Sequence, residues 1–251
     1  GIKAATRLLI QAGCTGGLIF FSGVYLQSLG NLLGFGEIYL GLWGIPFTIF
    51  CIVGMINAFN MIDGLNGLCA SLCLVCFIAI IYMINADTVP SLLPLILPVG
   101  AITGFLMYNL GVLGNQRTVF LGDNGSNALG FMCAWILVYF SSVENSNFAP
   151  VTALWFVAIP FFDAVGVMAS RAIKGIMPLR PGRDHLHHRL LDMGLSSNTI
   201  YLVLIFISAL FAATGYIFNY SLPESRYISF YAFMVLWLCY YFLTRYIPKN
   251  V

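Results

Sequence analysis

The chain has 251 residues, 60% of them hydrophobic and only 8% charged, with a formal net charge of +2. A soluble domain needs about a quarter charged residues to face water, so that class is excluded. The aromatic content of 15% excludes a disordered chain, and the small net charge excludes a nucleic-acid binder. An all-α, polytopic integral membrane protein remains, in keeping with a mean hydropathy of +0.92.

Crossing a bilayer core about 30 Å thick takes about 20 apolar residues in a helix. Stretches of that kind lie at roughly 8–28, 43–62, 67–85, 90–110, 125–143, 149–170, 199–218 and 227–247. The expected architecture is a bundle of about eight transmembrane helices forming one domain over residues 1–251. Pro90, Pro94, Pro98 and Pro160 fall inside these stretches, where membrane helices tolerate them. The glycine-rich segment 29–42 is expected to form a small hairpin on the outer face. Cys69, Cys73 and Cys76 have the spacing of an iron–sulfur loop, but in a helix positions i, i+4 and i+7 share one face, which favours packing.

The basic residues orient the bundle. Lys3 and Arg7, Arg117, the group Arg171, Lys174, Arg180, Arg183 and Arg189, and finally Arg245 and Lys249 all fall on one side. That is ten of the eleven Lys and Arg, with only Arg226 opposite. By the positive-inside rule this face is cytoplasmic, and residues 171–198 form a cytoplasmic Arg/His loop. Glu37, Asp87, Glu144 and Glu224 then lie in outer loops. Asp63, Asp123, Asp163, Asp184 and Asp192 fall at cytoplasmic helix ends or in cytoplasmic loops. Carboxylates near membrane depth are costly and point to function.

Three polar clusters interrupt the apolar spans on this face. The first, residues 57–67, places Asn60, Asp63 and Asn66 at intervals of three, beside Asn57, with Gly64 and Gly67 letting the backbone turn tightly. Its bland reading is a hairpin turn with Asp63 and Asn66 as helix N-caps. The second, residues 119–127, puts Asp123 at the start of a helix. There a carboxylate either caps the helix or, with phosphate oxygens, holds Mg²⁺. The third is the run Arg183-Asp184-His185-Leu186-His187-His188-Arg189, which follows Pro178, Pro181 and Gly182 and contains every histidine of the chain. Five nearby cations argue against zinc, whereas Arg and His together suit a diphosphate, with His also able to move protons. Acid, amide and cationic groups on one membrane face fit metal-assisted phosphoryl transfer.

The stretches NAFNMIDGLNGL (57–68), VFLGDNGSNALGF (119–131) and RDHLHHRLL (183–191) resemble the polyprenyl-phosphate N-acetylhexosamine-1-phosphate transferases, glycosyltransferase family 4. The likeness is to the WecA-type UDP-N-acetylglucosamine:undecaprenyl-phosphate branch rather than the muramoyl-pentapeptide branch. YNLGVLG (108–114), PVTALWFVAIP (150–160) and RAIKGIMPLRPGRDH (171–185) support it. The resemblance implies transfer of an N-acetylhexosamine-1-phosphate, GlcNAc-1-phosphate by likeness to this branch, from a UDP-sugar to undecaprenyl phosphate, with UMP released. It implies a Mg²⁺ cofactor, with Mn²⁺ as a substitute, and an inner-membrane location with the site on the cytoplasmic face. Asp123 matches the metal-binding aspartate, and Asp63, Asp123, His185 and His187 are the implied catalytic residues. Asn60, Asn66, Asn109, Arg171, Arg183 and His188 are the implied substrate contacts. Partners are the UDP-sugar and the lipid acceptor, with monomer and homodimer both open and no nucleic acid.

Two departures bear on these expectations. Asn66 stands where the family usually has a second aspartate. The family's upstream adjacent aspartate pair has no match here, and Gly1 is not an initiator methionine. The chain is therefore expected to lack N-terminal helices and to have negligible activity by itself. The alternative readings are a non-catalytic scaffold and, from another class, a transporter, which would place its polar groups at mid-membrane.

Overall fold

A computed structural model describes residues 4–84, 89–114, 118–142, 148–177, 182–223 and 226–246. Lys3, Asp87, Arg117, Glu144, Pro178, Arg180, Pro181, Glu224 and Lys249 lie outside the described residues. The elements are helices: α1 Ala4–Ser22, α2 Gly44–Ile62, α3 Leu68–Met83, α4 Val89–Asn109, α5 Gly122–Ser142, α6 Pro150–Phe156, α7 Ala158–Ile173, α8 Leu186–Asp192, α9 Ser197–Ser221 and α10 Arg226–Tyr246. The all-helical membrane class is as the composition requires.

Among the described residues, four segments, or five if one bent pair counts as a span, meet the length and hydropathy of a membrane crossing, against the eight apolar stretches of the sequence. The four are Gly41–Ile62, Leu92–Asn109, Ser197–Ser221 and Arg226–Thr244. Polar residues shorten the apolar runs elsewhere, through Arg7, Gln11 and Thr15 in α1 and through Asp123, Asn124, Ser126 and Asn127 in α5. The 16 residues of α3 rise only about 24 Å at 1.5 Å each. The stretch read as one span at 149–170 is α6 plus α7, bent by 88°. Pro160 explains the bend. It has no N–H for the Phe156 carbonyl and its ring crowds that turn, so a new helix starts at Ala158.

Between α1 and α2 the hairpin forms at minimal size, as one antiparallel bridge from Ser28 to Tyr39. The Leu29 N–H donates to Ile38 at 3.0 Å and the Leu40 N–H to Gln27 at 2.8 Å.

In lipid, helices associate through close packing and interhelical hydrogen bonds. Helix α3 is the central wedge, packed against α4, α5 and α9. Cys69, Cys73 and Cys76 are fully buried on it, and Cys73 Sγ lies 3.0 Å from Cys133 Sγ of α5. These thiols fill a helix interface, as the helical spacing implied. Helix α5 also lies along α2. Gly130 permits this, since a Cβ there would come within 2.9 Å of Ile56 Cα. Trp155 fills the α6–α7 bend, with its Nε1 donating to Ser229 Oγ at 2.9 Å and its ring against Phe211, Phe218 and Phe233.

Candidate active site

The α2–α5 contact brings the first two polar clusters together. Asn60, in the last turn of α2, donates through Nδ2 to Ser126 Oγ at 2.9 Å and reaches Asp123 Oδ1 at 3.4 Å. Ser126 is fully buried. Sequence reasoning passes over it, although its place three residues after Asp123 puts both on one helix face. Asp123 itself stands in the first turn of α5, where free backbone N–H groups carry partial positive charge. Asn57 faces away, accepting from Arg7 at 3.3 Å and donating to Gln11 Oε1 at 3.0 Å, so it ties α2 to α1.

Asp63 and Asn66 are not N-caps. Asp63 follows the last residue of α2, and α3 is preceded by Gly67 with no side-chain cap. Both instead line a cavity of about 330 Å³ with Asp123, Asn109, Phe105 and Phe120. Among the described residues the Asp63 carboxylate accepts no hydrogen bond. Burial, and then the like charge of Asp123, push it up to about 6. Asn109 is buried in the wall and donates through Nδ2 to the Val119 carbonyl at 2.6 Å. Its Oδ1 has no partner among the described residues. A second cavity of about 380 Å³ shares Gly64, Leu65, Asn66 and Asn109 and is bounded by Thr118, Ser197, Asn198 and Tyr201.

The histidine loop joins the first cluster at a backbone surface. His187 is 1% exposed and packs on Gly64, where a Cβ would lie only 2.0 Å from His187 Nε2. Any side chain at position 64 would drive the two loops apart. The His187 ring stacks on His185, with centroids 6.2 Å apart and planes at 7°, and touches His188 at 4.1 Å. Burial first, then the neighbouring His188, hold His187 down to about 4. His188 is lowered by burial and by Arg183.

His185 lies behind His187, with Nδ1 2.7 Å from Asp163 Oδ2. Arg171 is buried in a different place. Its Nε and Nη2 donate to Asp184 Oδ2, each at 3.1 Å, and it lines a separate cavity of about 120 Å³ with Ser170, Lys174, Arg189 and Tyr240. Arg183 is exposed. The structure thus gathers Asn60, Asp63, Asn66, Asn109, Asp123 and His187, with His185 stacked behind and the His188 ring tilted against His187. It sets Arg171 and Arg183 outside the carboxylate cavity.

Residues 1–141, which include the first two clusters, match Glycosyl transferase family 4. The chain belongs to that family. The family-4 chain is 36% identical over 250 residues to the undecaprenyl-phosphate alpha-N-acetylglucosaminyl 1-phosphate transferase of Escherichia coli K12, covering 99% of this chain and 67% of that protein. The enzyme of the same name from Salmonella typhi is 34% identical over 250 residues, with the same coverage. That of Haemophilus influenzae is 37% identical over 254 residues, covering 98% of this chain and 66% of the relative. The chain spans about two thirds of the length of these relatives, and each alignment runs through the histidine loop as well.

Proposed function

We propose that the protein transfers N-acetylglucosamine-1-phosphate from UDP-N-acetylglucosamine to undecaprenyl phosphate, releasing UMP at the cytoplasmic face of the bacterial inner membrane. The observation that carries this reading is the cavity shared by Asp63 and Asp123, walled by amides and set at a helix N-terminus. The names of the relatives supply the substrates.

The donor set suits a hard divalent cation. Two carboxylates and neighbouring amide oxygens face one polar space, where burial, and then the like charge of Asp123, raise Asp63 to about 6. A cation between them would relieve that repulsion, and Mg²⁺, or Mn²⁺ in its place, takes oxygen ligands of this kind. Asp123 would hold it, with Asp63 opposite. Bound there, the metal neutralises charge on the sugar nucleotide's diphosphate.

The remaining work falls to the chain's own groups. Both reactants are anions, so positioning and charge neutralisation dominate phosphoryl transfer. An oxygen of undecaprenyl phosphate attacks the sugar-bearing phosphorus, the bond to the UMP oxygen breaks, and UMP leaves. Asp63 is the carboxylate base for the last proton of the acceptor phosphate. Asn60 orients Asp123 through the pair of contacts to Asp123 and Ser126. Asn66 and Asn109 offer polar contacts at the wall, and the histidine loop closes it at Gly64. His188 and Arg183 border that loop toward solvent.

The test is UMP release by the purified protein given UDP-N-acetylglucosamine, undecaprenyl phosphate and Mg²⁺. With a segment carrying the family's upstream aspartate pair supplied in cis or by co-expression, the proposal expects release that needs all three. No UMP from any UDP-N-acetylhexosamine would favour a non-catalytic scaffold. Uptake of the sugar nucleotide into vesicles without UMP would favour a transporter.

A further inference from the structure

Asp163 lies in the apolar helix α7, is 2% exposed, and gathers donors from three directions. The Leu186 N–H donates to Oδ1 at 2.8 Å and the Tyr240 hydroxyl to the same oxygen at 3.1 Å. Oδ2 is left to His185 Nδ1, at 2.7 Å. One carboxylate therefore ties α7, the start of α8 and α10 together, and its last acceptor position faces an imidazole nitrogen. A carboxylate offers only acceptors, so Nδ1 must carry the ring proton. Among the described residues His185 Nε2 makes no hydrogen bond. The ring stacks on His187, which in turn packs on Gly64 beside Asp63.

We infer that Asp163 is a positioning residue that locks His185 in the Nδ1-protonated tautomer, leaving Nε2 as the ring's accepting atom in the stack behind the carboxylate cavity. The second ring nitrogen of a histidine is set by the partner of the first. A buried carboxylate on Nδ1 fixes both tautomer and ring plane, as in the serine protease triad. Helix α10 takes part through Tyr240, which holds the oxygen that His185 does not use. The sequence signal is a lone acid inside an apolar span, 22 residues before the histidine it serves.

The catalytic consequence rests on the transferase reaction proposed above, whereas the tautomer does not. The chain has three histidines, so ¹⁵N-histidine labelling of the protein in nanodiscs gives a spectrum simple enough to assign with H185Q. Recorded at about pH 8.5, above the ordinary imidazole range, the wild-type spectrum should place the His185 proton on Nδ1. In D163N an amide oxygen on the Leu186 N–H turns the NH₂ toward the ring, and the proton should move to Nε2. A wild-type His185 protonated at Nε2 overturns the inference on its own, with no variant needed. So does a D163N spectrum identical to wild type. In UMP release, D163N should lower kcat about 10- to 100-fold, as loss of an orienting partner does, while KM for UDP-N-acetylglucosamine stays put. Tyr240→Phe should keep the tautomer and lose less. A D163N variant with the moved proton but full kcat would show that the lock has no catalytic consequence and would overturn that part.

Discussion

Asp63 follows the last residue of the apolar helix α2 and Asp163 lies inside the apolar helix α7, and their surroundings are opposite. Asp163 accepts three hydrogen bonds, from His185, Leu186 and Tyr240, at 2.7, 2.8 and 3.1 Å. Asp63 accepts none among the described residues, and its cavity partner Asp123 receives only the 3.4 Å contact from Asn60. A buried carboxylate whose acceptor positions are filled from inside the protein has become part of the framework. One that faces a polar cavity with few donors leaves those positions for a ligand, and two together leave them for a cation. The same residue type thus ties the framework together in one region and is left open to a ligand in the other.

The largest expected effect comes from removing a cavity charge. Asp123→Asn keeps the shape and deletes a hard anionic ligand, so UMP release should fall on the order of 100-fold or more, with an unchanged thermal unfolding midpoint. Full activity at low Mg²⁺ would erase the distinction between the two regions. Gly64→Ala attacks the seam between them. Its Cβ meets His187 Nε2 at 2.0 Å, and a shift of about 1 Å near reacting groups can cost about 100-fold. A crystal or cryo-EM comparison should show the histidine loop displaced, and normal kinetics would mean that this contact is unimportant.

Smaller effects sharpen the comparison. Asn60→Ala removes the contacts to Asp123 and Ser126, and should raise the Mg²⁺ concentration for half-maximal rate about tenfold, measured by metal titration of initial rates. His187→Gln addresses pH. The folded His187 is held down at about 4, below the ordinary value near about 6.5. Between those values the unfolded chain binds the extra proton, so stability is lost as pH falls from about 6.5 toward 4. The variant should flatten that part of the midpoint-versus-pH curve, and an unaltered slope would place the cause elsewhere. The least effect belongs to Asn66→Asp, which should leave UDP-sugar binding undiminished in equilibrium dialysis.

The sequence made the polar clusters visible because charged and amide groups stand out against apolar spans, and it made Asn60, Asp63 and Asp123 visible as candidates on one face. It did not reveal which partner each would meet. That Asn57 turns to α1, that Arg171 is held by Asp184, and that His185 meets Asp163 depend on helix packing, which leaves no spacing pattern in the chain. Pro160 marked the α6–α7 break, yet membrane helices often accommodate proline, so the continuous apolar run outweighed it. Gly64 was legible as a tight turn, whereas its closeness to His187, 123 positions away in the numbering, was not.

The central claim is that Asp63 and Asp123 form a cation site that Asp163 does not share. Electron paramagnetic resonance of Mn²⁺ titrated into the protein, with UDP-N-acetylglucosamine present, counts bound ions directly. Wild type should bind one Mn²⁺ that Mg²⁺ displaces, D123N should lose it, D63N should weaken it, and D163N should bind as wild type does. Undiminished Mn²⁺ binding in D123N, or loss of binding in D163N, would contradict the account.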